Sequence, residues 1–279
     1  MSAPPRVVVL VISWNRPELT LRCVQSLSKL AYPRYELVII ENGGPRAAAG
    51  LRHQLPEVHV VASPTNLGFA GGSNLGLLHA RRRGADYVLL LNNDTVVPPD
   101  ALCSLLELAQ AHPEVGFLSP TIRYLAAPQR IWFRGSRFRP DLLLFEHLGK
   151  DCEPQHEEPG SALPELIPTD YACGCAILAR SSALVRVGGF DPRYFLLYED
   201  ADLGARARKL GLASAVATRV EIHHQVAASF GGAETPSHSY YGLRNALLYA
   251  ELHLPRLDYL RLVEHSARLA LAPLSLPAG

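Results

Sequence analysis

The chain has 279 residues, 48% of them hydrophobic, and 27 Lys+Arg against 26 Asp+Glu give a formal charge of +1. That length and apolar share suffice for one large α/β domain or two small ones, and the even charge balance removes any global electrostatic case for a nucleic-acid partner. The five cysteines, Cys23, Cys103, Cys152, Cys173 and Cys175, are odd in number and scattered, which argues against a secreted disulfide framework, and Cys173-Gly174-Cys175 lacks the second pair of a structural zinc site.

The amino-terminal residues run into an apolar strand with no basic-then-apolar leader. No window approaches the roughly 18 apolar residues of a membrane span. A cytoplasmic protein, soluble or peripheral, is the expectation.

Val7 to Ser13 is β-branched and apolar and reads as a buried strand, after which Trp14-Asn15-Arg16-Pro17 leads into a helix to about Leu30. Tyr35 to Ile40 repeats the strand pattern and ends in Glu41-Asn42-Gly43-Gly44, and Val58 to Ala62 is a third strand. Strand, helix, strand at this cadence marks a doubly wound α/β fold: a Rossmann-like, mostly parallel sheet with helices on both faces. The first turn has no G-x-G-x-x-G, and no P-loop occurs anywhere, so the dinucleotide-binding and P-loop readings lose their main support.

Asn66 to Gly76 contains Gly68, Gly71, Gly72 and Gly76 with Asn66 and Asn74, ahead of a helix to about Arg83. Glycines in such a loop let backbone N–H groups approach a ligand, although an ordinary glycine-rich turn has the same composition. Tyr87 to Val97 is an unalternating apolar run that ends in Asn92, Asn93 and Asp94, the pattern of a strand buried on both faces. Ligands of open α/β sheets bind beyond the carboxyl ends of such strands, and oxygen ligands there suit a hard divalent cation. Local capping by Asp94 is the competing account. Pro98-Pro99 then turns the chain into a helix from about Asp100 to Ala111.

From Tyr124 to Glu165 the pattern loosens into a loop-rich insertion. Order returns as a strand over Tyr171 to Leu178, a short helix near Ser182 to Val187, and the turn from Gly188 to Pro192. A helix then opens with Glu199, Asp200 and Asp202. The helix dipole accounts for one acid in a first turn but less well for three in four residues, so a carboxylate is left for proton transfer. Ala213 to Ala217 and Val220 to Gln225 read as short strands; only one of His223 and His224 can face a given site, because strand side chains alternate. Helices follow from Tyr240 and from Leu254 to Leu274. The last sets Arg256, Arg261 and Arg268 among leucines, a pattern shared by interfacial helices and by helices packed on a sheet.

Taken in order, these motifs resemble the inverting family-2 glycosyltransferases of the type A nucleotide-sugar (GT-A) fold, in particular the rhamnosyltransferase-like branch that builds bacterial cell-envelope polysaccharides. The resemblance covers about Val7 to Asn245. It implies a nucleoside-diphosphate sugar donor held by Ser13, Asn15 and Arg16, by Glu41, by Asn66, Gly68, Gly71 and Asn74, and by Asn92 and Asn93. It further implies Mg2+ or Mn2+ on Asp94 and His224, and Asp200 as general base beside Glu199. Arg206 matches the family's arginine one helical stretch later. Glu41 replaces the usual aspartate, and Asn92 replaces the first acid of D-x-D.

The implied reaction moves one sugar from a dTDP- or UDP-linked donor to a hydroxyl of a glycan or lipid-linked acceptor, at the inner face of the cytoplasmic membrane and without nucleic acid. The absence of Q-x-x-R-W after the E-D segment removes a processive reading. On this view residues 1–253 form the GT-A domain, with about 7–122 for the nucleotide sugar and about 123–253 for acceptor and catalysis, and 254–279 are a C-terminal helical extension. A sugar-1-phosphate nucleotidyltransferase would need a Gly- and Lys/Arg-rich loop where Ser13-Trp14-Asn15-Arg16 stands. A non-catalytic binding relative would lack Asp94 or Asp200, and both are present.

Overall fold

The computed structural model describes residues 3–139, 142, 144–152, 163–226 and 235–271. Its axis is β1 (Val7–Ser13), buried at all seven positions, with β2 (Tyr35–Glu41) and β4 (Tyr87–Asn92) parallel on either side. Register sets the tips level, with Ser13 opposite Glu41 and Ile12 opposite Asn92. Beyond β2 lies β3 (His59–Ala62), also parallel. On the other side β11 (Ala176–Arg180) runs antiparallel between β4 and β6 (Val115–Tyr124), and β12 (Ala213–His224) pairs parallel with β6.

With β10 (Leu166–Pro168) at the edge, the order is β10-β12-β6-β11-β4-β1-β2-β3. The short β5 (Thr95–Val96) and β7 (Ile131–Phe133) add to β12 and β6. The expected α/β class with a mostly parallel sheet is what the chain forms.

Alternation along β1 divides the core between two faces. Val7, Val9 and Val11 pack with Cys23, Val24 and Leu27 of α1 (Pro17–Leu27) and with Leu102 and Leu105 of α4 (Ala101–Ala111). Val8, Leu10 and Ile12 meet Ala70 and Ala80 of α3 (Gly68–Arg82) and Leu203 and Ala207 of α6 (Glu199–Lys209). The remaining helices are α2 (Pro45–Gln54), α5 (Ser181–Val187), α7 (Pro236–His253) and α8 (Arg256–Leu271).

Several expectations change. The glycine stretch is the first half of α3 rather than a loop. Each interior glycine costs a helix about 1 kcal/mol relative to alanine, and here the absent side chains let α3 lie against the sheet. A Cβ on Gly72 would stand 2.5 Å from Asn42 Nδ2, and one on Gly76 2.8 Å from Leu10 Cδ1.

The two pieces read over 213–225 are one strand whose pairing with β6 shifts between Ala217/Pro120 and Glu221/Thr121. That irregularity accommodates Pro120 and explains why β6 was not read from the sequence, since proline speaks against a central strand. Tyr171 to Cys175 precedes β11 as a buried turn rather than forming part of it.

The insertion contains β7 and a separate hairpin of β8 (Ser136–Arg139) and β9 (Leu144–His147). Residues 140–141, 143 and 153–162 of the insertion lie outside the described residues. Helix α7 begins at Pro236, four residues before Tyr240, because Thr235 caps it by accepting from His238 N at 3.3 Å. The expected end of the last helix, Leu274, lies outside the described residues; among those described, no helix is long and apolar enough to cross a membrane.

Candidate active site

A cleft of ≈ 1170 Å³ opens beyond the carboxyl ends of β1, β2 and β4. Of the residues the sequence singled out, Asn66, Gly68, Asn92, Asn93, Glu199, Asp200 and His224 line it. Ser13, Asn15, Arg16, Glu41, Gly71, Asn74 and Asp94 are not among the lining residues.

Ser13 and Glu41 lie beneath the cleft in a buried hydrogen-bond chain. Asn93 Nδ2 donates to Thr20 Oγ1 at 3.0 Å, the Thr20 and Ser13 hydroxyls meet at 2.8 Å, and Ser13 Oγ donates to Glu41 Oε2 at 2.5 Å. Gly43 N–H donates to Glu41 Oε1 at 2.6 Å, so both oxygens of this carboxylate are occupied by the protein. Glu41 therefore ties the strand tips together, while its neighbour Asn42 lines the cleft and donates to Gly68 O at 2.9 Å. Asn15, at φ 51°, packs over Gly43. Asn74 is also structural, since it exchanges hydrogen bonds with the Phe190 backbone at 2.7 and 2.9 Å. Gly71 faces Leu67, within α3's own first turn.

Asp94 and His224 come together because β12 pairs with β5, setting His224 opposite Thr95. His224 Nε2 lies 3.0 Å from Asp94 Oδ1, and both side chains are buried. The approach lacks hydrogen-bond geometry: Asp94 Oδ1 has no donor, and His224 Nδ1 has no partner. Buried polar atoms are seldom left so, and the close approach of an imidazole nitrogen to a carboxylate oxygen beside the cleft suits a shared cation. No group of three His, Cys, Asp or Glu residues that could hold a metal occurs among the described residues. The pair thus fits a cation that takes its other ligands from water and a bound anion. His223 does not line the cleft.

On the facing wall, α6 starts with Glu199 and Asp200. Asp200 accepts from Gly174 N–H at 2.9 Å through Oδ2 and from Ala201 N–H at 2.8 Å through Oδ1. Burial pushes Asp200 up to about 6, against the pull of these N–H groups. Burial and then the Asp200 charge hold Glu199 well above the usual carboxyl range, and its Oε2 is buried without a partner. Both carboxyls thus lie above the ordinary range, Glu199 with Oε2 unpartnered and Asp200 held on two N–H groups. Asp202, the third acid, is not in the cleft: Arg206 grips it at 2.7 and 2.8 Å, and His253 Nε2 lies 2.8 Å from its Oδ1.

The segment leading into α6 is strained, with Phe195, Leu197 and Tyr198 at φ 60°, 68° and 69°. Each such residue costs of order ~1–3 kcal/mol, which the surroundings must offset.

The family profile described as Glycosyltransferase like family 2 matches residues 4–236. This chain belongs to the family-2 glycosyltransferases. The enzyme is rhamnosyltransferase-like within that family: it is 28% identical over 230 residues to N-acetylglucosaminyl-diphospho-decaprenol L-rhamnosyltransferase of Mycobacterium tuberculosis, covering 75% of this chain and 73% of that protein. It is 28% identical over 209 residues to the galactofuranosyltransferase GlfT1 of Mycolicibacterium smegmatis, covering 74% and 66%.

Among solved structures, GalNAc-T7 with UDP, GalNAc and Mn2+ superposes with a TM-score of 0.63 at 13% identity, over 97% of this chain but only 58% of that one. The mannosyltransferase PcManGT of Pyrobaculum calidifontis, in complex with GDP-Man and Mn2+, superposes with a TM-score of 0.55 at 17% identity, over 98% and 82%. The glycosyltransferase fold is therefore GT-A.

Sequence reasoning missed several residues of this glycosyltransferase's cleft. Gly174 acts through its backbone N–H, which no residue identity reveals. Asn42 was read only as part of a motif. Trp132, from the insertion, meets the His224 ring edge-on at 5.0 Å, and His147 lies 2.9 Å from the Tyr171 hydroxyl. Burial, then the nearby Lys150, lower His147 to about 4, so it is neutral at pH 7.

Proposed function

We propose that this glycosyltransferase moves one sugar from a dTDP- or UDP-linked donor to a hydroxyl of a glycan or lipid-linked acceptor, with inversion, assisted by Mg2+ or Mn2+. The observation that carries this reading is the anchoring of Asp200: on the wall of a single cleft, its two carboxylate oxygens are held by the N–H groups of Gly174 and Ala201. The name of the mycobacterial rhamnosyltransferase supports the acceptor class, the UDP and Mn2+ of GalNAc-T7 support a UDP-linked donor and a cation, and the GDP-Man and Mn2+ of PcManGT support only the broader nucleotide-sugar class and the cation.

In this mechanism Asp94 and His224 would hold the cation, and Asn92 and Asn93 line the cleft at the tip of β4. The bound cation supplies Lewis-acid stabilisation of the departing diphosphate. Asn42, Asn66 and Gly68 line the donor side of the cleft. The acceptor hydroxyl gives its proton to a carboxylate oxygen of Asp200 as it attacks the anomeric carbon from the face opposite the leaving group, and a positioned base of this kind contributes ~10²–10⁴-fold in rate. A single displacement inverts the anomeric centre. On this reading residues 1–253 form the catalytic domain, and 123–253 contribute the acceptor wall through Trp132, His147 and α7.

Helix α8 supports peripheral contact with an anionic membrane, since Leu257, Leu260 and Val263 are 69%, 49% and 38% exposed and Arg256 and Arg261 are exposed beside them.

The deciding experiment incubates the full chain with a panel of nucleotide sugars, a polyprenyl-diphosphate-linked saccharide acceptor and Mn2+ or Mg2+. Nucleoside diphosphate release is the readout, and the product anomer is assigned by NMR. Metal-dependent release with an inverted product is expected; retention, or full activity in excess chelator, overturns the reading.

A further inference from the structure

Asn245 is not on the cleft wall, yet it grips the segment that leads to both carboxyls. Its side chain is fully buried in α7, and Nδ2 donates toward Tyr194 O at 2.8 Å and toward Leu196 O and Leu197 O at 2.7 Å each. Its Oδ1 accepts from Arg244 Nη1 at 2.7 Å, and the same guanidinium nitrogen donates to Arg193 O at 2.8 Å. Two amide hydrogens thus serve three carbonyls of one short segment, and removing them leaves all three without this donor.

That segment contains the three residues at positive φ, and from its other side Ala70 N–H donates to Phe195 O at 3.2 Å. Gly68 of α3 packs closely on it, since a Cβ there would stand 2.3 Å from Phe195 O. Tyr198 is the residue before α6, so its backbone angles set the direction in which Glu199 and Asp200 leave the segment.

We infer that Asn245 is a positioning residue for sugar transfer: by holding the strained backbone from Tyr194 to Leu197, it fixes the start of α6 and keeps the Asp200 carboxylate on Gly174 N–H. This inference rests on the reading of Asp200 as the general base. A purely structural asparagine would stabilise the fold without affecting where Asp200 titrates.

The titratable groups that act electrostatically with Asp200 are Glu199 on its own helix, Tyr171, Cys173 and Cys175 from the turn before β11, and Tyr198. Burial raises each of them above its ordinary value. Loss of the Gly174 N–H contact therefore registers directly as a rise in the proton affinity of Asp200.

The test compares wild type, Asn245→Ala, Asn245→Ser, and Asn245→Ala combined with Leu197→Gly, each normalised to folded protein, with Leu51→Ala in α2 as a destabilised control. For Asn245→Ala, kcat should fall ~10–100-fold, the donor KM should stay within about twofold, and the acid limb of the kcat profile should move to higher pH. Asn245→Ser keeps one donor and should lie between, which also covers the case in which the alanine variant does not fold. Leu197→Gly in the alanine background should restore part of kcat, because glycine adopts positive φ without strain.

The inference is overturned if kcat per folded molecule and the acid limb match wild type while only the melting temperature falls, as in the Leu51→Ala control. Native-state hydrogen exchange separates this outcome from failure of the base reading. Even if the wild type transfers no sugar, Asn245→Ala should accelerate exchange at residues 195–201 by at least ~10-fold over that in β1. Acceleration spread evenly over the whole chain overturns the positioning role.

Discussion

The carboxylate of Asp200 accepts the N–H of Gly174 at 2.9 Å, so a backbone group from the turn before β11 holds a side chain from the first turn of α6. This contact joins the base to the sheet and makes its protonation sensitive to the fold around it.

Asp200→Asn preserves shape and removes the base. Turnover should fall by ~10²-fold or more with donor affinity near wild type, read from steady-state kinetics and nucleotide calorimetry. An unchanged kcat would exclude Asp200 as the base.

Wild-type activity should rise with pH through about 6 as Asp200 loses its proton. Stability should run the other way. The folded group, at about 6, binds its proton more tightly than at its ordinary 3.8, so its contribution is fully present below about 4 and lost as pH rises through 6. At ~1.4 kcal/mol per pKa unit the loss is about 1–3 kcal/mol, to be measured as the difference between wild-type and Asp200→Asn unfolding curves from pH 4 to 8.

Asp94→Ala or His224→Ala should weaken cation-dependent binding of UDP or dTDP by at least ~10-fold, and excess chelator should abolish transfer. Calorimetry of the nucleotide with and without Mn2+ checks this apart from catalysis. Equal nucleotide affinity in both variants with Mn2+ present would remove the pair as ligands.

Two of the α3 glycines, Gly72 and Gly76, should separate stability from binding. Gly76→Ala presses on Leu10 and should cost ~1–3 kcal/mol of stability with nucleotide affinity retained. Gly72→Ala presses on Asn42 Nδ2, displacing a cleft-lining side chain, and should weaken nucleotide binding as well. Thermal melts and titrations of both variants give the comparison.

Sedimentation with anionic vesicles should retain the full chain and release a form truncated after His253, each exposed Arg contributing about 1 kcal/mol near the surface. Equal partitioning of the two forms would show that α8 is not the anchor.

The sheet centre was legible because β1, β2 and β4 are unalternating apolar runs, and the acids at α6 were legible because three carboxylates exceed what capping requires. β6 was hidden by Pro120, whose place at a pairing irregularity depends on β12 almost 100 residues later. The glycines of α3 were seen, but their purpose was not, since a close approach to Leu10 and Asn42 is a tertiary fact. Glu41 was assigned to the donor by its position in a motif, and only the fold shows both its oxygens already engaged by Ser13 and Gly43. Asn245 carried no local signal at all, because its three acceptors lie about fifty residues away in the chain.

Because β11 runs against its neighbours, its beginning rather than its end meets the tip of β4, and Asn92 N–H donates to Cys175 O at 3.0 Å. The groups proposed to face the departing diphosphate and the turn that anchors the proton acceptor are thus successive rungs of one ladder. Their spacing is a property of sheet pairing, set apart from whatever the β8–β9 hairpin presents to the cleft. The hairpin can therefore change while the distance from Asn92 to the turn that holds Asp200 stays constant.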